Sequence, residues 1–201
     1  IKVMPYFIFQ KMMTKHELRR EYLDRRRALT DIEVQESSLQ IANKVLELDI
    51  WSFSNYHVFL PIQKQKEINT QYLLHILQGK DKNIVVSKSN FEDISMSHYL
   101  LTDQTKLRIN SHGIPEPDQN GIPIDEKNID VVFVPLVIAD RFGNRVGYGK
   151  GFYDRFLKKC RPDVIKIGLS MFEPLESKID MHVNDVGLNY ILYGEEVIDL
   201  G

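Results

Sequence analysis

Residues 145 to 154, RVGYGKGFYD, bring three kinds of chemistry into one short stretch. Gly147, Gly149 and Gly151 have no Cβ, so their backbone can approach a ligand closely. Arg145 and Lys150 add positive charge, and Tyr148, Phe152 and Tyr153 add flat π-faces. A permissive backbone among cations suits a phosphate group, because each charge-assisted hydrogen bond contributes about 1.5–3 kcal/mol. The carboxylate that follows, Asp154, has two readings. It pairs with Arg155 or Arg141, or it holds Mg2+, which favours one or two carboxylates plus phosphate oxygens. The bland reading of the whole stretch is a flexible connection with solvated charges. The spacing is neither the Gly-x-Gly-x-x-Gly dinucleotide fingerprint nor a P-loop, since no Gly-Lys-Ser/Thr occurs.

The surrounding elements determine what such a loop can reach. IDVVFVPLVIAD (129–140) is a long apolar run, as expected of a strand buried on both faces. A helix is predicted over 150–160, opening near Gly151. Its free N–H groups and positive dipole end then face the loop. Upstream, Thr14 with Glu17 and Thr30 with Glu33 form two capping boxes, which predict helices over 15–29 and 31–48. The first carries Leu18, Tyr22, Arg25, Arg26 and Leu29 at helical spacing, an amphipathic helix with a basic flank. YHVFLPI (56–62), NIVVSK (83–88), MSHYLLT (96–102), VIKIGLS (164–170) and LNYILYG (188–194) read as strands. TQYLLHILQ (70–78) reads as a helix capped by Thr70, and the proline-rich segment 113–125 as a loop. This alternation predicts an α/β fold: a layered, Rossmann-like domain with a largely parallel or mixed sheet flanked by helices, the N-terminal helices packed against it. One domain over 14–201 is expected. Residues 1–13 are an extension, either disordered or an added edge strand.

Composition narrows the function classes. The chain has 201 residues, 43% of them hydrophobic and 27% charged, enough for a sizeable core. A net charge of -2 argues against wholesale nucleic-acid binding, so the basic cluster around 141–161 answers to something local. The single cysteine, Cys160, excludes an intrachain disulfide and fits a reducing, cytoplasmic setting. Lys158, Lys159 and Arg161 around it could lower its thiol pKa, though an ordinary thiol at a helix end is the plainer reading. No apolar run reaches the ~18–20 residues of a membrane span, and IKVMPYFIFQKMM does not read as a signal peptide. The six histidines show no metal-ligand spacing and receive no catalytic role.

RVGYGKGFYDRFL (145–157) resembles the signature of the 5-formyltetrahydrofolate cyclo-ligase family. KHELRREYLDRRRAL (15–29), FLPIQKQKEINT (59–70), GIPEP (113–117), FVPLVIADRFGNRVG (133–147) and VNDVGLNYIL (183–192) resemble other segments of that family in the same order. The resemblance implies an ATP- and Mg2+-dependent enzyme that converts 5-formyltetrahydrofolate, with or without a polyglutamate tail, to 5,10-methenyltetrahydrofolate, ADP and phosphate. It implies that Lys15 and Arg19 contact ATP phosphates, and that Arg145, Val146, Gly147, Tyr148, Gly149, Lys150, Gly151, Phe152 and Tyr153 wrap the nucleotide. Residues 148–153 would also meet the formyl substrate. Arg145 and Lys150 would be catalytic, stabilising the transferring phosphoryl group. Leu60 and Glu67 would contact the folate, and Asp154 and Asp185 would hold Mg2+. Read alone, Asp185 is ordinary turn chemistry beside Asn184. Phe152 stands where a tyrosine is expected, which removes one hydroxyl. The enzyme is expected to be a monomer with no nucleic-acid or membrane partner. Two other classes remain open: a relative of sugar-phosphate isomerases or CoA transferases, and a non-catalytic nucleotide- or RNA-binding module.

Overall fold

A computed structural model describes residues 13–118 and 121–201. The expected N-terminal extension, apart from Met13, lies outside the described residues, as does Asn120. Both capping boxes form. Thr14 Oγ1 accepts the Glu17 amide at 3.2 Å and the Glu17 carboxylate accepts the Thr14 amide at 2.8 Å; Thr30 and Glu33 repeat the pattern. They open α1 (Lys15–Ala28) and α2 (Asp31–Val45). α2 stops short of residue 48 because its end tightens into i→i−3 bonds, Leu46 to Asn43, Glu47 to Lys44 and Leu48 to Val45.

The remaining elements are β1 (Asn55–His57), α3 (Gln71–Gly79), β2 (Asn83–Asn90), β3 (Ser95–Leu100), β4 (Leu107–Ile109), β5 (Pro115–Pro117), β6 (Ile122–Pro123), β7 (Val131–Pro135), β8 (Ile138–Ala139), β9 (Arg145–Val146), α4 (Phe152–Lys159), β10 (Ile165–Leu169), β11 (Tyr190–Tyr193) and β12 (Glu196–Asp199). One large sheet has the order β12-β11-β10-β7-β1-β2-β3-β6. Its centre, β11 through β2, is parallel, and its edges, β12 on one side and β3 with β6 on the other, are antiparallel. The pairs β4–β5 and β8–β9 are separate ribbons.

The layers follow from alternation. In β7, Val131 and Phe133 pack with Ile41 and Val45 of α2 and Leu73 and Leu77 of α3. Val132 and Val134 point the other way, to Phe156 and Leu157 of α4. Both faces are covered, so every position is apolar. Each such side chain contributes about 1.5–3 kcal/mol on burial. α1 lies elsewhere: Leu18 and Tyr22 pack on Ile138 and Val146 of the β8–β9 ribbon and on Val137 just before it.

Several local expectations are corrected. The apolar run 129–140 is not one strand. Pro135 has no N–H to extend the ladder, and the chain leaves the sheet so that Val137 N bonds Val146 O at 2.7 Å. The 56–62 strand shrinks to β1; Val58 still bonds the Val85 carbonyl at 2.9 Å before the chain departs toward Pro61. The 113–125 loop contains β5 and β6, and β12 returns after a turn at Gly194, φ 49°. Thr70 precedes α3, but its hydroxyl donates to the Phe59 carbonyl at 2.7 Å; Asn69 Oδ1 takes the Gln71 amide instead.

β1 pairs with β2 on one side and β7 on the other. Chain order reverses there, so the carboxyl ends of β1 and β7 diverge. In open α/β sheets that crevice is where ligands bind.

Candidate active site

The Gly147–Gly151 loop connects β9 to α4. Asp140, fully buried, sets its approach. Its Oδ1 accepts the Phe142 and Asn144 amides at 2.9 Å, and its Oδ2 accepts the Ile179 amide at 2.6 Å and Asn144 Nδ2 at 2.7 Å. Gly149 and Gly151 have φ of 96° and 76°, in the left-handed region that penalises other residues. Gly151 is the N-cap of α4, so the first amides of that helix face the loop. Gly147 is different: a Cβ there would meet nothing within 4 Å.

Charged side chains from distant segments converge on this loop. Arg19 Nε of α1 donates to the Gly147 carbonyl at 2.7 Å. One turn earlier, Lys15 Nζ pairs with Asp185. Arg145, buried, donates one guanidinium nitrogen to the Val186 carbonyl and the other to Asp154 Oδ1 at 2.7 Å. Asp154 Oδ1 also accepts the Val186 amide at 3.0 Å. Asp154 therefore pairs with Arg145, neither with Arg141, which meets Glu173 and Glu176, nor with Arg155, which donates to the Lys150 carbonyl. Burial raises the Asp185 carboxyl, but the Lys15 hydrogen bond, the His182 amide and the charges of Lys15 and Arg145 outweigh it, so the group lies below its usual range. Lys150 is exposed, and its ammonium pairs with no carboxylate among the described residues.

Asp154 thus reaches the Val186 amide, next in sequence to Asp185, whose own carboxylate accepts the His182 amide at 2.6 Å and pairs with Lys15. Both carboxylates are partly exposed hard-oxygen donors. No group of three or more His, Cys, Asp and Glu forms a metal cluster among the described residues. Two carboxylates fit Mg2+ shared with phosphate oxygens, and not a calcium-type protein cage.

A second set of residues lies at the carboxyl end of β1. Glu67 is only 6% exposed. Its Oε2 accepts the Ile62 amide at 2.6 Å and its Oε1 accepts the Tyr148 hydroxyl. That hydroxyl in turn accepts from Arg26 Nη2. Burial raises the Glu67 carboxyl, opposed by Ile62, Tyr148 and Arg26. Leu60 is half-buried against the main core. Tyr153 packs its ring on the core beside His57 and Phe156, and the Val146 side chain is fully buried. Phe152 meets Phe91 edge-on at 5.1 Å, and Phe91 stacks on His112 at 3.8 Å and 8°. Nothing in the sequence pairs Phe91 with His112. Arg26 did leave a signal: it continues the buried Leu18, Tyr22 stripe at four-residue spacing, although its charge suggests the solvated flank.

Beside this α/β sheet, covered on both faces, the glycine loop that opens α4 is met by Arg19 from the outlying α1, with Arg145 of β9 paired to Asp154 and Lys15 of α1 to Asp185. The sequence profile of the 5-formyltetrahydrofolate cyclo-ligase family matches residues 11–194, and the chain belongs to that family. The mouse 5-formyltetrahydrofolate cyclo-ligase is 26% identical over 189 residues, 89% of this chain and 93% of its own length. The Haemophilus influenzae protein of the same name is 30% identical over 164 residues, 78% and 84% of the two chains. The NMR structure of Aquifex aeolicus 5,10-methenyltetrahydrofolate synthetase superposes with a TM-score of 0.74 at 25% identity, covering 94% of this chain and 93% of that one.

Proposed function

We propose that this protein forms 5,10-methenyltetrahydrofolate from 5-formyltetrahydrofolate, with ATP as co-substrate and Mg2+ as cofactor. The observation that supports the reading is a set of contacts at the glycine loop and its flanks, Arg19 to the Gly147 carbonyl, Arg145 to Asp154 and Lys15 to Asp185, which bring cations and carboxylates from separate segments together.

The N5-formyl group is an amide and a poor electrophile. Transfer of the ATP γ-phosphoryl group to its oxygen gives an imidate-like phosphate ester. N10 then attacks the formyl carbon, the ring closes, and phosphate leaves with the former formyl oxygen. The chain's work is positioning and charge neutralisation. The amides of Gly147 to Tyr153 cradle phosphate oxygens, with Val146 buried behind them as ballast for β9. Lys15 and Arg19 bind the nucleotide phosphates from α1. Lys150 has no competing carboxylate partner and stabilises charge on the transferring group; Arg145 contributes from below through Asp154. Asp154 and Asp185 would hold Mg2+, which supplies neutralising charge between phosphate oxygens. Glu67 and Leu60 contact the folate at the end of β1. Phe152, with Phe91 and His112, offers an aromatic surface for a flat ring. The cytoplasm and a monomeric state suit this role.

The test mixes protein, 5-formyltetrahydrofolate and Mg-ATP and follows the near-ultraviolet absorbance of the methenyl product, omitting ATP and Mg2+ in turn. A rise that needs all three additions is expected. No rise from folded protein that binds ATP refutes the reaction and leaves a nucleotide site serving another substrate.

A further inference from the structure

α1 buries three side chains, Leu18, Tyr22 and Arg26, and only Arg26 is charged. The residue is 2% exposed. A buried cation is destabilising unless something compensates it. Here no carboxylate touches it directly. Nη1 donates to the Leu136 carbonyl at 3.3 Å, Nη2 donates to the Tyr148 hydroxyl, and Nε is buried without a partner. The compensating charge lies one hydroxyl away. A phenol has one proton, so a Tyr148 oxygen that accepts from Arg26 gives its own proton to Glu67. The chain Arg26 to Tyr148 to Glu67 thus has a fixed direction. It ties together α1, the glycine loop and the segment after β1. The cavity between Arg26 and Glu67 is about 10 Å³, about the room for one water, so no further counter-ion fits.

We propose that Arg26 is a positioning residue for the reaction: acting through the Tyr148 hydroxyl, it keeps Glu67 an ionised acceptor for the folate. The word folate rests on the function proposed above; the link from Arg26 to Glu67 does not. An ionised Glu67, with the Ile62 amide on one oxygen and the Tyr148 hydroxyl on the other, keeps further lone pairs for substrate N–H donors. A protonated one loses an acceptor. Burial favours protonation, and the groups that oppose it are the Ile62 amide, the Tyr148 hydroxyl and the Arg26 charge. The other ionisable neighbour is Tyr153 of α4, itself near Arg145; burial and the Glu67 charge push both phenols up, so both stay neutral. Lys66, next in sequence, turns away to the Leu29 carbonyl and Asp31. Arg26 is therefore the cation that Glu67 faces.

The test is a carbon-13 NMR titration of the Glu67 carboxyl, assigned by its loss in Glu67→Gln, together with the pH dependence of kcat/KM for the folate. In Arg26→Met the carboxyl titrates at higher pH than in the parent protein. Tyr148→Phe, which removes the hydroxyl that links the two, shifts it the same way, and Arg26→Lys restores most of the Arg26→Met change. The acid limb of kcat/KM moves with the titration, which a merely structural role would not produce. An unmoved Glu67 titration in folded Arg26→Met overturns the proposal. If Arg26→Met does not fold, an unmoved titration in Tyr148→Phe, which keeps the ring and its packing, does the same. A moved titration in a protein with no methenyl-forming activity upholds the link and refutes the proposed reaction.

Discussion

Acidification should destabilise this protein through His98, and replacing that residue should remove the effect. His57 of β1 and His98 of β3 are buried on either side of Ser87 of β2. Ser87 Oγ lies 2.6 Å from His57 Nε2 and 2.8 Å from His98 Nδ1. The outer nitrogens, His57 Nδ1 and His98 Nε2, are buried without partners. Both rings press on Phe156 of α4, at 4.9 and 4.1 Å. A proton on either ring would place charge in this apolar layer. Burial accordingly lowers His57 far below the ordinary value and His98 to about 4, Glu126 only partly opposing it there. The sign follows from linkage. Below about pH 6.5 the unfolded chain takes up protons that the folded chain refuses, so stability falls as pH falls, until about pH 4 for His98. At about 1.4 kcal/mol for each pH unit, His98 accounts for a loss of about 3 kcal/mol across that window, and His57 adds to it. Urea unfolding, followed by the fluorescence of Trp51, reads the effect as a midpoint lowered by roughly 1–3 M. His98→Gln cannot titrate, so its stability should fall less steeply; common carboxylate effects cancel in the comparison. Parallel curves for the two proteins between about pH 6.5 and about pH 4 would refute a buried neutral His98.

Five further outcomes follow, four at the site and one at Cys160. Gly149→Ala forces a Cβ into the left-handed region and to 3.2 Å from the Arg19 guanidinium; it should destabilise by about 1–3 kcal/mol and weaken ATP binding in calorimetry. Gly147→Ala, with open space, should change stability by less than about 0.5 kcal/mol, and equal effects would show that the two glycines are not distinct. Asp154→Asn should remove most turnover with an unchanged circular dichroism spectrum, and near-normal turnover at saturating Mg2+ would contradict the metal role. Lys150→Ala should lower kcat by about 10- to 100-fold, with a smaller change in folate Kd; loss confined to folate Kd would remove Lys150 from the phosphoryl group. Cys160 is buried, and burial pushes its thiol up to about 12; native protein should resist iodoacetamide at about pH 8, and rapid labelling would refute that burial.

Local signals in the sequence carried over to the structure where the cause was local. Each capping box is a contact three residues long, so α1 and α2 were readable at their starts. The glycine loop needs positive φ at Gly149 and Gly151, which residue type alone announces. Contacts between segments left fainter traces. His57 and His98 looked unrelated because their meeting depends on β1, β2 and β3 being neighbours. The basic look of Cys160's neighbourhood pointed the wrong way, because its cations are solvated while the thiol is not. Arg26 stood in the sequence at helical spacing with Leu18 and Tyr22, but a buried arginine makes sense only once Tyr148 and Glu67 are placed. The split of 129–140 at Pro135 was available from the missing N–H, yet the apolar run obscured it.

α1 has a further property as an object made in time. It is synthesised ahead of every partner it needs. Leu18 and Tyr22 wait for the β8–β9 ribbon, Arg19 for Gly147, and Lys15 for Asp185, 170 residues downstream. Its capping box lets it coil early, but an isolated helix of this length is marginal in water. Its docking therefore depends on segments that are made later in the chain. A chain interrupted just before residue 185 has Gly147 for Arg19 but no Asp185 for Lys15, so the contacts of α1 are complete only when the chain is nearly finished.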